Sequence, residues 1–249
     1  MKKIYIYIAI FIIALIAIAG FFVVLENKKA TIIKEVPKSE ETITKCYLYS
    51  KENQNGFTDK AWLKINTLNE KVTGEYQNLP AESDSKVGKF SGNIEEKDLN
   101  KNTQIINVWW NSLAEGMNVT EELRVSFKED KAMALFGEMV DRGDGVYLYK
   151  NKERLSPSFE MSEVDCEALD DEIIVTKYIR ENIQTILPTE PVLGGSWYVT
   201  SVKMNPSERT GTIIYEDGHI QGEVYFVYTR NGTDVEIALI NALPSAESK

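Results

Sequence analysis

Apolar residues follow two different patterns along this chain. Ile4 to Leu25 form an unbroken apolar run, with Lys2 and Lys3 before it and Glu26, Lys28 and Lys29 after it. Twenty-two residues in a helix span roughly 33 Å, enough to cross a hydrocarbon core of about 30 Å. Residues 1–25 are therefore read as a transmembrane signal-anchor. A cleaved signal peptide is the competing reading, with Ala17-Ile18-Ala19 as a small-x-small site. The apolar stretch continues past that site through Phe21, Phe22, Val23, Val24 and Leu25, which favours the uncleaved form. Two lysines on either side leave the positive-inside comparison balanced. The short N-terminus and the bulky remainder place the former in the cytoplasm and residues from about 44 onward outside it. Residues 26–43, rich in Lys, Glu, Thr and Ser and containing Pro37, read as a solvated tether.

Beyond the tether the pattern changes to short alternating segments. Leu123, Val125 and Phe127 alternate with Arg124, Ser126 and Lys128, and Leu63 and Ile65 alternate with Trp62, Lys64 and Asn66. A period of two is the mark of a sheet with one wet face. The predicted strands of residues 44–168 are Lys45–Ser50, Ala61–Thr67, Lys71–Gln77, Lys86–Asn93, Gln104–Asn111, Glu121–Lys128, Lys131–Glu138 and Val146–Lys150. Turn chemistry separates them at Asn53-Gln54-Asn55-Gly56, Leu68-Asn69-Glu70, Lys128-Glu129-Asp130 and Arg142-Gly143-Asp144-Gly145. Glu95 to Lys101 read as a helical turn or a loop. The fold class is mainly β: seven or eight antiparallel strands forming a small barrel or a sandwich.

The period then lengthens. Val175, Tyr178, Ile179, Asn182, Ile183 and Ile186 repeat at helical spacing, Asp170-Asp171-Glu172 supply a cap, and Pro188 stops the helix. Strands follow at Ser196–Met204, Gly211–Tyr215, Gln221–Arg230 and Val235–Ile240, with Asn231-Gly232 as a hairpin turn. Residues 169–243 thus read as a small α+β domain, helix plus antiparallel sheet, similar to the cystatin-like arrangement. Residues 244–249 read as a tail.

Charge narrows the partners. With 28 Lys+Arg against 38 Asp+Glu, the formal net charge is -10, which repels nucleic acid and anionic headgroups at long range. The chain has two cysteines, Cys46 and Cys166, and an exported domain would join them. Two buried free thiols are the alternative. The sole histidine, His219, sits in a turn sequence, so zinc sites and Ser-His-Asp chemistry find few residues here. No metal and no cofactor is expected.

Several short motifs invite chemical readings. Ser83-Asp84-Ser85-Lys86 matches Ser-x-x-Lys but precedes a strand, whereas that chemistry needs a helix start. Asp141-Arg142-Gly143-Asp144-Gly145 contains Arg-Gly-Asp and an Asp pair, and reads first as a tight turn, then as a receptor or Ca²⁺ motif. Asn118-Val119-Thr120 and Asn231-Gly232-Thr233 match the glycosylation acceptor pattern and read as turn chemistry. Glu115, Glu121, Glu122, Glu138, Asp141 and Asp144 form an acidic set near Trp109 and Trp110. A glycosidase needs two carboxylates about 5–10 Å apart in such a setting, with Glu115 and Glu138 as the preferred pair.

Three blocks carry a resemblance: Val108 to Met117 (VWWNSLAEGM), Phe136 to Tyr147 (FGEMVDRGDGVY) and Pro191 to Val199 (PVLGGSWYV). They resemble a group of bacterial proteins with a single N-terminal membrane anchor and an extracytoplasmic domain. The resemblance covers most of residues 44–240. It implies an envelope location and no catalytic residue. The expected protein is single-pass in the plasma membrane, bound to the bilayer through residues 4–25, with an envelope protein or glycan as partner. Its expected role is a binding module, with Trp109, Trp110, Phe136 and Tyr147 lining a barrel mouth or sheet face. A carboxylate-dependent glycan hydrolase and a purely structural spacer are the alternatives.

Overall fold

The structure, a computed structural model, describes residues 41–52, 58–80, 84–98, 103–192 and 195–240. The expected anchor 1–25, most of the tether 26–43 and the tail 244–249 lie outside the described residues. Among the described residues no helix is long and apolar enough to cross a membrane.

The alternating segments form strands β1 (Ile43–Glu52), β2 (Thr58–Leu68), β3 (Lys71–Leu79), β4 (Lys86–Asp98), β5 (Thr103–Ala114), β6 (Met117–Lys128) and β7 (Lys131–Phe136). Each pairs antiparallel with the next. Tight reversals set the meander: the backbone is left-handed at Asn69 and Glu129, and at both Glu115 and Gly116. A short hairpin of β8 (Met139–Asp141) and β9 (Val146–Tyr149) follows, and then β10 (Ser156–Val164). Strand β10 pairs with β7 on one side and β1 on the other, closing an eight-stranded antiparallel barrel. The barrel reading therefore holds over the sandwich.

Three strand assignments are corrected. Strand β10 was not predicted, because Pro157 near its start and a bulge between Pro157 and Glu160 spoil its alternation. The predicted Val146–Lys150 strand exists as β9 but stands outside the barrel, paired parallel to one end of β6. Residues 95–98, read as turn or loop, continue β4 past a register shift between Ile94 and Glu96.

The lumen is filled. Tyr47, Leu63, Tyr76, Phe90, Trp110 and Met161 are each at most 3% exposed, and Tyr76 packs 5.1 Å from Trp110 by ring centroids. Burial drives the Tyr47 hydroxyl up to about 12, with Glu163 and Asp130 adding to the effect. Gly74 makes room for Phe90: a Cβ there would lie 2.5 Å from the Phe90 ring and 2.1 Å from the Lys64 carbonyl oxygen. An eight-stranded barrel is just wide enough for side chains to fill in this way.

The helix α1 (Cys166–Ile186) starts earlier than its apolar period implied. Asp165, not the Asp170-Asp171-Glu172 run, is the N-cap; its carboxylate accepts from Glu167 N at 2.8 Å and Ala168 N at 3.3 Å. The expected boundary at 168/169 thus falls inside the helix. The second sheet has order β11 (Tyr198–Asn205), β12 (Thr210–Glu216), β13 (Gln221–Asn231) and β14 (Asp234–Ile240), with Gly232 in the last reversal as expected. Val175, Ile179 and Ile183 of α1 pack on Val202, Ile213 and Phe226 of this sheet. Another face of α1 lies on the barrel, where Leu169 and Ile173 cover Cys46, Leu48 and Trp62. Barrel, helix and second sheet belong to one compact unit.

Polar anchors fix that arrangement. Lys64 Nζ donates to Asp170 Oδ1 at 2.7 Å, from barrel to helix. Asp171, 5% exposed, accepts from Tyr228 Oη at 2.8 Å and from Arg230 Nε, from helix to sheet. The Cys46–Cys166 disulfide, with Cα atoms 5.2 Å apart, ties β1 to the first residue of α1. It closes a separation of 120 residues, worth up to roughly 4–5 kcal/mol in the chain-entropy account. The double variant Cys46→Ser/Cys166→Ser is expected to lose most of that, read as a lower urea midpoint; reductant should move the native protein the same way. Asp171→Asn is expected to cost about 3 kcal/mol in the same assay, because it leaves Arg230 without its buried counter-charge.

Candidate functional site

The four aromatic residues expected to line one surface are divided by the pleat. Trp109 and Trp110 are neighbours on β5 and face opposite sides. Trp110 is 0% exposed within the barrel core, and Phe136 packs at the edge of that core, 6.5 Å from Tyr76. Trp109 faces outward with the Arg142 guanidinium 5.8 Å from its ring centroid. Tyr147 on β9 is also exposed. These residues do not share a cavity.

The acidic set is likewise dispersed. Glu115 is exposed in the β5–β6 turn, and Glu138 is exposed and paired with Lys150 at 2.7 Å. Neither sits in an enclosed cleft. Within this set the buried carboxylates are Glu121 and Glu122, consecutive on β6 and therefore on opposite faces. Glu121 accepts from Lys86 Nζ at 2.8 and 2.9 Å, beside Ser112. Glu122 accepts from Asn107 Nδ2 at 2.9 Å and Tyr149 N at 3.2 Å, and pairs with Lys152 at 2.5 Å. Burial would raise the Glu122 carboxyl, but the bonds from Lys152, Asn107 and the Tyr149 amide outweigh it and hold the group below its usual range.

Turn motifs are occupied internally. Arg142 Nη2 pairs with Asp144 Oδ2 at 2.5 Å, and Gly143 N donates to Asp141 Oδ1 at 2.7 Å, so both ends of the Arg-Gly-Asp sequence are engaged within the turn. Among the described residues no group of carboxylates, histidines or cysteines is arranged to hold a metal. His219 lies in the β12–β13 turn, where its amide and that of Ile220 donate to Asp217 Oδ1. Ser83 lies outside the described residues, and Lys86 opens a strand.

A concave feature with mixed chemistry lies outside the barrel. Between α1 and the outer wall of β1, β2 and β3 is a groove of about 570 Å³, within the usual range for ligand sites. Its apolar floor is Leu48, Trp62, Leu79 and Ile173. Trp62 is 6% exposed and its Nε1 donates to Gln77 Oε1 at 2.5 Å, which fixes the indole plane. At one end Lys60 Nζ pairs with Glu172 at 2.5 Å and donates to the Val202 carbonyl at 3.1 Å. The α1 wall presents Thr176, Lys177, Arg180 and Glu181. Two other hollows, of about 550 Å³ on the second sheet and about 280 Å³ on the wall of β2–β4, are each lined by residues of a single sheet.

Sequence reasoning placed none of these groove residues in a site. Trp62 stood on the face read as wet, between Lys60 and Lys64, and a tryptophan on such a face was the available signal of a covering element. Thr176 and Arg180 carry no signal by type, since they lie off the apolar stripe of α1.

No protein-family model matches the chain, no curated protein matches it, and no solved structure matches it.

The Glu122 carboxyl gives a pH prediction. Its folded pKa lies below the ordinary value, so its contribution to stability is complete at neutral pH and is lost as pH falls through the folded pKa, on the acid side of the ordinary carboxylate range. Glu122→Gln should lower the urea midpoint at pH 7 and flatten its fall as the pH is taken down through the carboxylate range. Equal acid slopes in native protein and variant would refute this account.

Proposed function

We propose that this protein is a membrane-anchored, extracytoplasmic binding module of the cell envelope, and that it binds its ligand in the groove between α1 and the barrel wall. The observation that carries this reading is the groove itself. It combines an apolar floor, a largely buried ion pair and a polar helix face. Small-molecule sites characteristically combine an apolar lining with a few placed polar groups. The filled barrel favours an external site, since its lumen is occupied by its own side chains.

Location rests on separate support. The Cys46–Cys166 disulfide suits an oxidising compartment, and the apolar run Ile4–Leu25 suits an anchor that delivers the domain there. The resemblance to anchored bacterial envelope proteins points the same way. The hydrolase reading finds little support, because Glu115 and Glu138 are solvated and no cleft encloses them.

The test uses the full chain in lipid nanodiscs and a panel of envelope-derived glycan, peptide and small amphiphile fractions. Thr176→Trp fills the groove from the helix side. At least one fraction should raise the melting temperature of the native protein and leave that of the folded variant unchanged. Equal shifts in both proteins would place binding elsewhere. Glycan turnover by the native chain would instead establish an enzyme. Protease added outside intact cells should cleave the domain if it is extracytoplasmic.

A further inference from the structure

In the groove the fold leaves one hydroxyl without a hydrogen-bond partner and one guanidinium without a counter-charge. Thr176 Oγ1 is buried and has no hydrogen-bond partner, although a helical threonine ordinarily satisfies its hydroxyl on the carbonyl one turn before it. Arg180 follows four residues later, so both project from the same side of α1. Arg180 Nη1 donates to the Val199 carbonyl at 3.1 Å, and among the described residues no carboxylate pairs with the guanidinium. The other charges on the groove are accounted for: Lys60 by Glu172 at 2.5 Å, and Lys177 by Glu181 at 3.8 Å. The groove therefore holds three basic residues against two acidic ones, a local excess of one positive charge in a chain of formal net charge -10.

Building on the groove as the binding site, we infer that it takes a small organic carboxylate with a hydrocarbon body. The carboxylate lies against Arg180 and the Thr176 hydroxyl, and the hydrocarbon lies on Leu48, Trp62, Leu79 and Ile173. Charge selects the anion, because an unpaired guanidinium presents a planar fork of donors that matches two carboxylate oxygens. The hydroxyl supplies a further donor on the same helix face, and its own burial without a partner is relieved on binding.

The walls argue against a peptide as the occupant. On one side they belong to strands of a closed barrel, whose backbone groups are used in the ladders between β1, β2 and β3. On the other side they belong to the middle of a helix. Neither wall offers the free strand edge that an extended peptide needs for its own amides. A hydrocarbon chain or an aromatic ring makes no such demand.

Calorimetric titration of the full chain in nanodiscs, with empty nanodiscs subtracted, tests this with octanoate, 1-octanol and octylammonium as probes of matched length. Octanoate should bind at least about tenfold more tightly than octanol, with octylammonium weakest. Arg180→Gln should weaken octanoate by about 10- to 100-fold and leave octanol unchanged, since only the charged contact is removed. Thr176→Val, nearly the same shape, should weaken octanoate by a few-fold. Equal affinity for octanoate and octanol, both abolished by Thr176→Trp, would overturn the carboxylate assignment while keeping the groove as a binding site. Octanoate binding unchanged in both Arg180→Gln and Thr176→Val would overturn it as well. No heat from any probe would overturn the ligand class, and the envelope fractions with Thr176→Trp then decide separately whether the groove binds at all.

Discussion

The Cys46–Cys166 bond decides where α1 can lie, and most of what is distinctive in this structure depends on that position. The cross-link holds the first residue of the helix against the first barrel strand. From that fixed point the helix runs with one face on the barrel, through Leu169 and Ile173, and another on the second sheet, through Val175, Ile179 and Ile183. A helix free to pivot would leave the outer wall of β2 wet. Held in place, it covers Trp62 and bounds a groove where barrel and helix diverge.

Three consecutive acids near the start of α1 reinforce the clamp in different directions. Successive helical residues are rotated by about 100°, so Asp170, Asp171 and Glu172 cannot share a partner. Asp170 reaches Lys64 and Glu172 reaches Lys60, both on β2, while Asp171 reaches Tyr228 and Arg230 on β13. A triad whose composition reads as a cap is a three-way anchor between helix, barrel and sheet. Of the three, Asp171 is the most enclosed; burial, its bond to Tyr228 and its charge all push the tyrosine hydroxyl upward.

Much of this fold is legible in sequence because the elements are amphipathic. The period-two segments from Ile43 to Phe136 gave seven strands, and the stripe Val175–Ile179–Ile183 gave the helix. The closing strand β10 was illegible for a local reason, since Pro157 and the bulge after it break the alternation. That one omission is why barrel and sandwich could not be separated, for closure rests on that strand. The site was harder still. Alternation says which residues share a face, but not what covers the face, so Trp62 looked solvated. Trp110 and Phe136 looked like a binding platform because aromatic type is shared by cores and sites alike. The partners of Thr176 and Arg180, or their lack of them, arise only when distant segments meet.

The position of Cys166 has a consequence for how the chain is made. All eight barrel strands precede it, and β10 ends at Val164. A chain emerging N-terminus first therefore exposes Cys46 long before its mate is available. Until residue 166 arrives, Cys46 is a lone thiol open to mispairing or capping. Once it arrives, docking of β10 beside β1, where Cys46 faces Val164, brings the two sulfurs together. The oxidised pair thus locks in the strand pairing that closes the barrel, and a molecule arrested before residue 166 keeps Cys46 as a thiol.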